Sequence, residues 1–301
     1  MTAPALLAVA LAVVLETLVG EPPTRLHPVA WFGRAVAPLD REWRRPRLVG
    51  ALGTVALTLA AAAAVAMVVV AAGLLSPWAA AATAGLALLL TTSLRRLLAA
   101  ATDVVAASAD DIDAAREGLL ALAGRDASAL GAGELRSAAV ESAAENLADG
   151  LVAPLLAFTV LAPLSLALAA AGAAWVKAVN TMDSMLGYQA KPVGWAPARL
   201  DDAVMWVPAR LAALALAVVA GAPASLRRAR AWTDGVPSPN SGWPMGVLAA
   251  ALDVRLTKPG VYTLNPDAVL PTVAKAQRGV RLVGVAGALA YLASAGVVAW
   301  S

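Results

Sequence analysis

The chain of 301 residues contains no cysteine and a single histidine, His27. The lack of cysteine excludes disulfide bonds, thiolate nucleophiles, iron–sulfur clusters and cysteine-ligated zinc. One histidine also disfavours a metal site or catalytic triad that needs several imidazoles. Any chemistry must therefore use carboxylates, amides, hydroxyls and basic groups.

Charged residues are also scarce, at 14% of the chain, whereas apolar residues make up 60%. Soluble domains carry about 25% charged residues, so this chain has too few to cover a soluble globule of its size. The formal net charge of +3 is too small for a protein with a dominant basic face. We therefore expect contact with membrane lipid and no nucleic-acid partner.

Several uncharged runs reach the roughly 20 residues that a helix needs to cross a bilayer. Residues 48–94 contain no charge, and the pair Ser76-Pro77 interrupts them, which predicts a transmembrane hairpin. Residues 1–20 and 282–301 are each long enough for one span. The first of these lacks the basic start and cleavage pattern of a signal peptide, so we expect it to be retained.

Arginines are concentrated in residues 21–47 and 95–149 and are absent from the turn of the predicted hairpin. Cytoplasmic loops carry an excess of Lys and Arg, so both segments are predicted to be cytoplasmic. We expect a multi-pass protein of the inner cell membrane, with its active face on the cytoplasmic side.

Two apolar segments in the middle, residues 150–176 and 203–226, contain two prolines each. Each segment either spans the bilayer or dips into it as a broken or re-entrant element. If both span, the polar stretch between them faces outside. We prefer re-entrant elements, because the chemistry argued below needs the polar motifs together.

The segment after the hairpin carries an apolar residue at every seventh position through residues 98–119. This spacing predicts one amphipathic helix, which ends at Gly124. The sequence Gly124-Arg125-Asp126 is typical of a helix-stop turn, and a second polar helix is predicted to begin near Gly133.

The predicted fold class is therefore an all-α polytopic integral membrane protein, with amphipathic cytoplasmic helices and broken or re-entrant middle helices. We expect one membrane-embedded domain over residues 1–301, with a cytoplasmic helical insertion at 95–149.

The first polar motif places Glu141, Glu145 and Asp149 on one helical face, with Asn146 beside them. Three carboxylates in line repel one another unless a cation or a basic group lies against them. Oxygen ligands are those that Mg²⁺ prefers. The alternative is an acidic face exposed to solvent.

The second motif is a polar stripe that follows 27 uncharged residues, and it consists of Lys177, Asn180, Thr181, Asp183 and Ser184. Ionisable groups among apolar helices usually line a site or a water-filled cavity. The alternative is an interfacial helix end in which the lysine reaches out to the headgroups.

The third motif joins Arg199 to the adjacent Asp201 and Asp202. Neighbouring aspartates point to different helix faces, so one can hold a cation while the other pairs with an arginine; either can instead cap the next helix. A fourth motif, the turn-rich residues 238–244, offers backbone amides and Asn240 to an anion.

His27 lies in a proline-rich turn, where a lone histidine serves either as a structural hydrogen-bonding group or as part of a site. The chain has no Walker A, Rossmann or HExxH pattern. A bound nucleotide would therefore be held in a non-standard way.

These motifs together resemble the adenosylcobinamide-phosphate synthases, cobalamin biosynthesis proteins of the CobD/CbiB family. The resemblance rests on ESAAENLADGLVAP at 141–154, KAVNTMDSMLGY at 177–188, RLDDAVMWVPARL at 199–211 and SPNSGWP at 238–244. It extends over about residues 15–256. The family usually has a glutamate directly after Gly-Trp-Pro, whereas this chain has Met245. Either the glutamate is dispensable in this chain or the activity is altered.

The resemblance implies an ATP- and Mg²⁺-dependent amide ligase. It would join the free propionate of adenosylcobyric acid to aminopropanol or its O-phosphate, giving adenosylcobinamide or its phosphate. The implied partners are these substrates, membrane lipid and other late cobalamin-assembly membrane enzymes.

For this reaction, we assign roles to individual residues as a hypothesis drawn from their chemistry. The metal contacts would come from Glu141, Glu145 and Asp149, with Asn146 beside them, and from Asp183. Asp201 or Asp202 would take a proton from the attacking amine. The assigned phosphate and substrate contacts are Lys177, Arg199 and Arg210 for the phosphoryl oxygens, and Asn180, Asn240, Ser184, Tyr188, Trp243 and His27 for the substrates.

Two alternatives belong to other classes. A non-catalytic membrane sensor of the same superfamily should have lost the polar motifs, and here all but the position of Met245 are intact. A small-molecule transporter with broken helices should show internal pseudo-symmetry, which we do not find.

Overall fold

A computed structural model describes residues 2–124, 126–188 and 190–300 of the chain. The helices are α1 (Thr2–Leu18), α2 (Pro28–Val36), α3 (Pro46–Gly73), α4 (Pro77–Thr91), α5 (Leu94–Asp110), α6 (Ile112–Ala123), α7 (Ala132–Leu147), α8 (Ala153–Leu161), α9 (Leu166–Leu186), α10 (Trp195–Val204), α11 (Trp206–Val219), α12 (Ser225–Thr233), α13 (Gly242–Leu252) and α14 (Val273–Trp300). A π-helical turn at Ala148–Val152 joins α7 to α8. The strands are β1 (Leu256–Lys258) and β2 (Tyr262–Leu264).

Four helical stretches are long and apolar enough to cross a membrane: Pro46–Gly73, Pro77–Asp110, Ala132–Leu161 and Val273–Trp300. The helical path through α10 and α11 bends by 47° and forms a further broken span or re-entrant element. Pro208 lies in the first turn of α11, where a missing N–H breaks no helical hydrogen bond. The prediction of an all-α polytopic membrane protein with a broken middle helix is confirmed.

The predicted hairpin is also confirmed as α3 and α4. Ser76 is the N-cap of α4, because its hydroxyl accepts a hydrogen bond from the amide of Ala79 at 3.0 Å. Pro77 occupies the first position of the helix, where proline is favoured because its fixed φ angle already suits a helix. Local chemistry therefore sets this turn.

The single helix predicted to end at Gly124 is wrong, because the structure divides it into α5 and α6. The Asp111 carboxylate accepts a hydrogen bond from the amide of Ala114 at 3.0 Å and so caps a new helix. Gly124 has a left-handed φ of 61° and ends α6 as predicted, but Arg125 lies outside the described residues. The following helix begins at Ala132, one residue before the predicted start.

The described residues pack as two compact units. The first comprises 1–93, 149–205 and 291–301, and the second comprises 94–148 and 206–290. In the first unit α9 packs against α3, α8 and α10, and in the second α7 and α11 pack against α13. The single membrane-embedded domain with an insertion at 95–149 stays a prediction.

The antiparallel pairing of β1 with β2, in which Thr257 faces Thr263, was not predicted. Gly260 turns the chain between the strands with a φ of 73°. The hairpin adds six residues of strand to an otherwise helical protein, and it positions Tyr262, which is described below.

Two glycines hold the loop after α9 against its neighbours, and their replacement by alanine tests this packing. A methyl group on Gly194 would lie 1.7 Å from the carbonyl oxygen of Leu186, and one on Gly50 would lie 1.9 Å from that of Val193. We expect each alanine variant to lose about 1–3 kcal/mol of stability, because the backbone must shift. Thermal unfolding in detergent measures this loss. Gly296→Ala is the control, since its methyl group would meet nothing within 4 Å; an equal loss there would contradict the packing.

Candidate functional site

One electrostatic feature of the first unit is the pair of carboxylates Asp183 and Asp202. Asp183 lies in the last turn of α9, and Asp202 lies on α10, which packs against α9. Both side chains are half-buried. Arg199, which is exposed, places its guanidinium 3.6 Å from the Asp202 carboxylate. Two like charges in a partly dry environment favour a cation or a proton between them.

The end of α9 is shaped to let the Asp183 carboxylate fold back over it. A Cβ atom on Gly187 would lie only 1.9 Å from the Oδ1 atom of Asp183. Any larger residue at this position would displace the carboxylate. The absence of a side chain at Gly187 therefore leaves the space that the Asp183 carboxylate occupies.

Asp183 is expected to make stability depend on pH. Burial, and then the negative charge of Asp202, raise the pKa of Asp183 from 3.8 to about 6, and α9 is not among the candidate membrane spans. The pKa of Asp183 is higher in the folded than in the unfolded protein, so ionising Asp183 lowers the stability of the folded state. This loss of stability is absent below about pH 4 and complete above about pH 6.

Without added Mg²⁺ or substrate, the free energy of unfolding should therefore fall by about 1–3 kcal/mol as the pH rises through this window. Chemical unfolding in detergent at several pH values measures this fall. The Asp183→Asn variant should lack it, and an identical pH profile in both proteins would overturn the assignment.

A second group of charges in the first unit surrounds Lys177. Burial lowers the pKa of the Lys177 ammonium, whereas the nearby charges of Asp149 and Glu21 raise it. Glu21 also lies 3.5 Å from His27 Nε2. Asp149 is positioned by the π-helical turn, and such turns are frequent at functional sites.

His27 has a defined structural role. Its Nδ1 accepts a hydrogen bond from the amide of Val29 at 3.2 Å, so the side chain caps α2. Pro28 follows at the first helical position. The structural interpretation of His27 fits this contact, and its contact with substrate stays a prediction.

The other predicted residues of the second motif lie on the same part of the chain but face outward to different degrees. Asn180 is half-buried, and its carbonyl accepts a hydrogen bond from the exposed Ser184 at 2.9 Å. Tyr188 is 58% exposed and lies against the Lys191 ammonium, 5.2 Å from the ring centre. These side chains are available to a ligand.

The second unit contains a buried carboxylate, Glu141, at only 2% exposure. It accepts hydrogen bonds from the hydroxyl of Ser137 at 2.6 Å and from that of Tyr262 at 2.7 Å. The amide of Thr257 donates to the same Ser137 hydroxyl at 2.8 Å. Met245 also contacts Tyr262, with 3.7 Å between sulfur and hydroxyl oxygen. We call these five residues the Glu141 cluster.

A second arrangement in this unit centres on Arg210 of α11. The guanidinium donates to the side-chain oxygen of Asn240 at 2.7 Å and to the carbonyl of Pro239 at 3.3 Å. It also lies over the rings of Trp206 and Trp243, at 4.4 and 5.4 Å from their centres. The structure therefore brings Arg210, Asn240 and Trp243 together, as a site would require.

Arg210→Lys tests whether this contact organises the turn at 238–244. A lysine keeps the charge but loses the planar donors and the stacking between two tryptophans. We expect the free energy of unfolding to fall by about 1–2 kcal/mol, and the wavelength of the tryptophan emission maximum to change. The exposed Arg227→Lys, on α12, is the control and should change neither; an unchanged Arg210→Lys protein would contradict the proposed role.

Of the remaining members of the predicted metal row, only Asp149 belongs to a different unit from Glu141. Glu145 and Asn146 are half-buried on α7 in the second unit, whereas Asp149 belongs to the first. Asn146 donates to the carbonyl of Ser142 at 3.0 Å. Within the described ranges, no three Asp, Glu or His side chains gather as a closed metal site. The metal role of the row stays a prediction.

Sequence reasoning did not select several residues that the structure places in these clusters. Tyr262 and Ser137 complete the surroundings of Glu141, and Glu21 joins Lys177. Glu16 accepts a hydrogen bond from the hydroxyl of Tyr291, and both are buried. The sequence did contain a signal for this contact, since Glu16 is an acidic residue within an apolar helix and such residues require a partner.

The fold and the sites define an all-α membrane protein that carries clustered carboxylates and basic groups. The family model described as CobD/Cbib protein matches residues 9–292. The chain therefore belongs to the CobD/CbiB family.

Curated relatives are similar over nearly their full length. The Probable cobalamin biosynthesis protein CobD of Methanothrix thermoacetophila is 36% identical, covering 95% of this chain and 94% of the relative. The Cobalamin biosynthesis protein CobD of Klebsiella pneumoniae is 35% identical, with 98% of each chain covered. The one from Dehalococcoides mccartyi is 33% identical, with 96% of each covered. No solved structure matches the chain.

Proposed function

We propose that this protein is an ATP-dependent amide ligase of cobalamin biosynthesis. It joins adenosylcobyric acid to aminopropanol or its O-phosphate, and it acts at the cytoplasmic face of the inner membrane. Membership of the CobD/CbiB family supports the pathway, and the named relatives are cobalamin biosynthesis proteins. Among the residues, the proposal rests on the pair Asp183 and Asp202.

This pair fits a magnesium ion that is shared with a nucleotide. Mg²⁺ usually binds one or two protein carboxylates and completes its coordination with phosphate oxygens and water. Two half-buried carboxylates supply such an open arrangement, and burial followed by the charge of Asp202 raises the pKa of Asp183. When bound, the ion would neutralise phosphate charge.

The reaction needs an activated carboxylate, because a carboxylate ion is a poor electrophile. The propionate oxygen attacks the γ-phosphorus of ATP, ADP leaves, and an acyl phosphate forms. The amine nitrogen then attacks the acyl carbon, and phosphate leaves as the C–N bond forms. The proton lost by the nitrogen goes to Asp201 or Asp202 in this proposal, and it goes to Asp201 when Asp202 holds the ion.

The basic residues stabilise the negative charge of the transferred group. Positioning and charge neutralisation account for most of the catalysis in phosphoryl transfer. Lys177 and Arg199, in the same unit as Asp183, are the proposed contacts for phosphoryl oxygens. Arg210 already donates to Asn240 and Pro239, so we assign it to holding the substrate-binding turn as well as to any phosphate contact.

Purified protein in detergent tests the proposal. ATP hydrolysis should require both adenosylcobyric acid and the amine, and the amide product should appear in mass spectra. Binding of the corrinoid without turnover would favour the sensor. Substrate flux through proteoliposomes without amide formation would favour the transporter, and either result would contradict the ligase.

A further inference from the structure

The first unit contains an apolar groove, and of the residues assigned to the proposed reaction only Lys177 lines it. It has a volume of about 460 Å³ and lies between α2, α3, α4 and α9. Small side chains create the space, since Ala61, Ala64, Ala87 and Ala178 line its walls. Its lining is mostly apolar; the polar residues are Lys177 and Thr181 on the wall formed by α9 and Thr83 and Thr91 on the wall formed by α4.

Such a volume requires an apolar occupant. Protein interiors contain few voids larger than a water molecule, and apolar cavities are poorly hydrated. The groove is also open, because Trp31, Val68 and Leu86 of its lining are between 46% and 59% exposed. A molecule that fills it can therefore enter from outside the protein.

The position of the groove identifies the occupant. α3 is the most apolar candidate membrane span, and only 11% of its apolar window is buried. The groove is a recess in this lipid-facing surface, and it follows α3 from Ala61 to Val69, which is about 12 Å along the helix axis. In a bilayer, hydrocarbon chains would lie against the rest of the same surface.

We propose that the groove is a binding site for one acyl chain of a membrane phospholipid. Lys177 then has two surroundings, with acidic groups on one side and hydrocarbon on the other. A chain in the groove would keep water from this side of the lysine, which links lipid occupancy to the basic residue of the proposed site. The lipid site itself does not depend on the ligase proposal.

Matched alanine-to-phenylalanine variants test the site. Ala87→Phe and Ala64→Phe fill the groove, whereas Ala82→Phe and Ala63→Phe add the same ring at exposed positions of the same two helices that do not line it. Native mass spectrometry and lipid extraction of the gently purified chain provide the readout. We expect a stoichiometric phospholipid in the wild-type protein and in the two controls, and its loss in the two groove variants.

A second measurement separates binding from misfolding. After delipidation, added phosphatidylglycerol should raise the thermal midpoint of the wild-type protein and of the controls but not that of the groove variants. Equal lipid retention by all five proteins would overturn the proposal. It would also be overturned if the groove variants lost a dimer instead of a lipid, because a second copy would then fill the groove.

Discussion

The Asp183→Asn variant is expected to lose about two to three orders of magnitude in kcat for amide formation. Asparagine keeps the shape of the side chain but removes the charge that would pair with the proposed cation beside Asp202. The folded protein should not be less stable above about pH 6, because the same change removes the like-charge repulsion. A loss of turnover without a loss of stability would therefore identify a functional carboxylate.

Product formation by the purified variant measures this effect, with thermal unfolding on the same sample. Asp103→Asn is the matched control, because Asp103 is exposed on α5 and belongs to no proposed cluster. It should retain full activity. An Asp183→Asn protein that keeps full ligase activity would refute the assigned role.

Tyr262→Phe is expected to destabilise the protein by about 1.5–3 kcal/mol. The variant keeps the ring but removes the hydroxyl that donates to the buried Glu141 carboxylate at 2.7 Å. A buried carboxyl group that loses a hydrogen-bond partner cannot replace it with water, so the loss is larger than at an exposed site. Thermal and chemical unfolding in detergent measure the loss.

Tyr188→Phe is the matched control, because Tyr188 is 58% exposed and should tolerate the change. Ser137→Ala removes the other hydroxyl that donates to Glu141. Because the two hydroxyls share one carboxylate, the double variant should differ from the sum of the single effects. Equal stability of Tyr262→Phe and Tyr188→Phe would show that the Glu141 cluster does not stabilise the fold.

Local chemistry made several parts of the fold predictable. Ser76-Pro77 combines an N-cap residue with a proline suited to the first helical position, and Gly124 permits a left-handed end. The break at Asp111 was not predicted, because the seven-residue apolar repeat continues through it and conceals it. Both helices keep that repeat, with Val105 and Leu119 fully buried.

Contacts between distant parts of the chain were not predictable. Tyr262 and Glu141 are 121 positions apart, and Tyr291 and Glu16 are 275 apart. No periodicity relates such residues. The turn at Gly260 was not predicted either, and a turn alone could not show which carboxylate Tyr262 would reach.

The polar stripe of α9 shows the same limit within one helix. Residue type and spacing predicted that Lys177 and Asp183 belong to one functional segment. Two side chains that are six residues apart on an α-helix lie about 120° apart around its axis, however, so Lys177 and Asp183 point in different directions. The helices that surround α9 then place Lys177 in the wall of the groove and Asp183 near Asp202.

An isotope experiment tests the central claim, activation of the substrate carboxylate by phosphoryl transfer, most directly. Adenosylcobyric acid labelled with ¹⁸O in its free propionate is incubated with the purified protein, ATP, Mg²⁺ and aminopropanol phosphate. The account predicts that ¹⁸O appears in inorganic phosphate in step with amide formation. Amide formation with the label in AMP, or with no label transferred to phosphate, would contradict it.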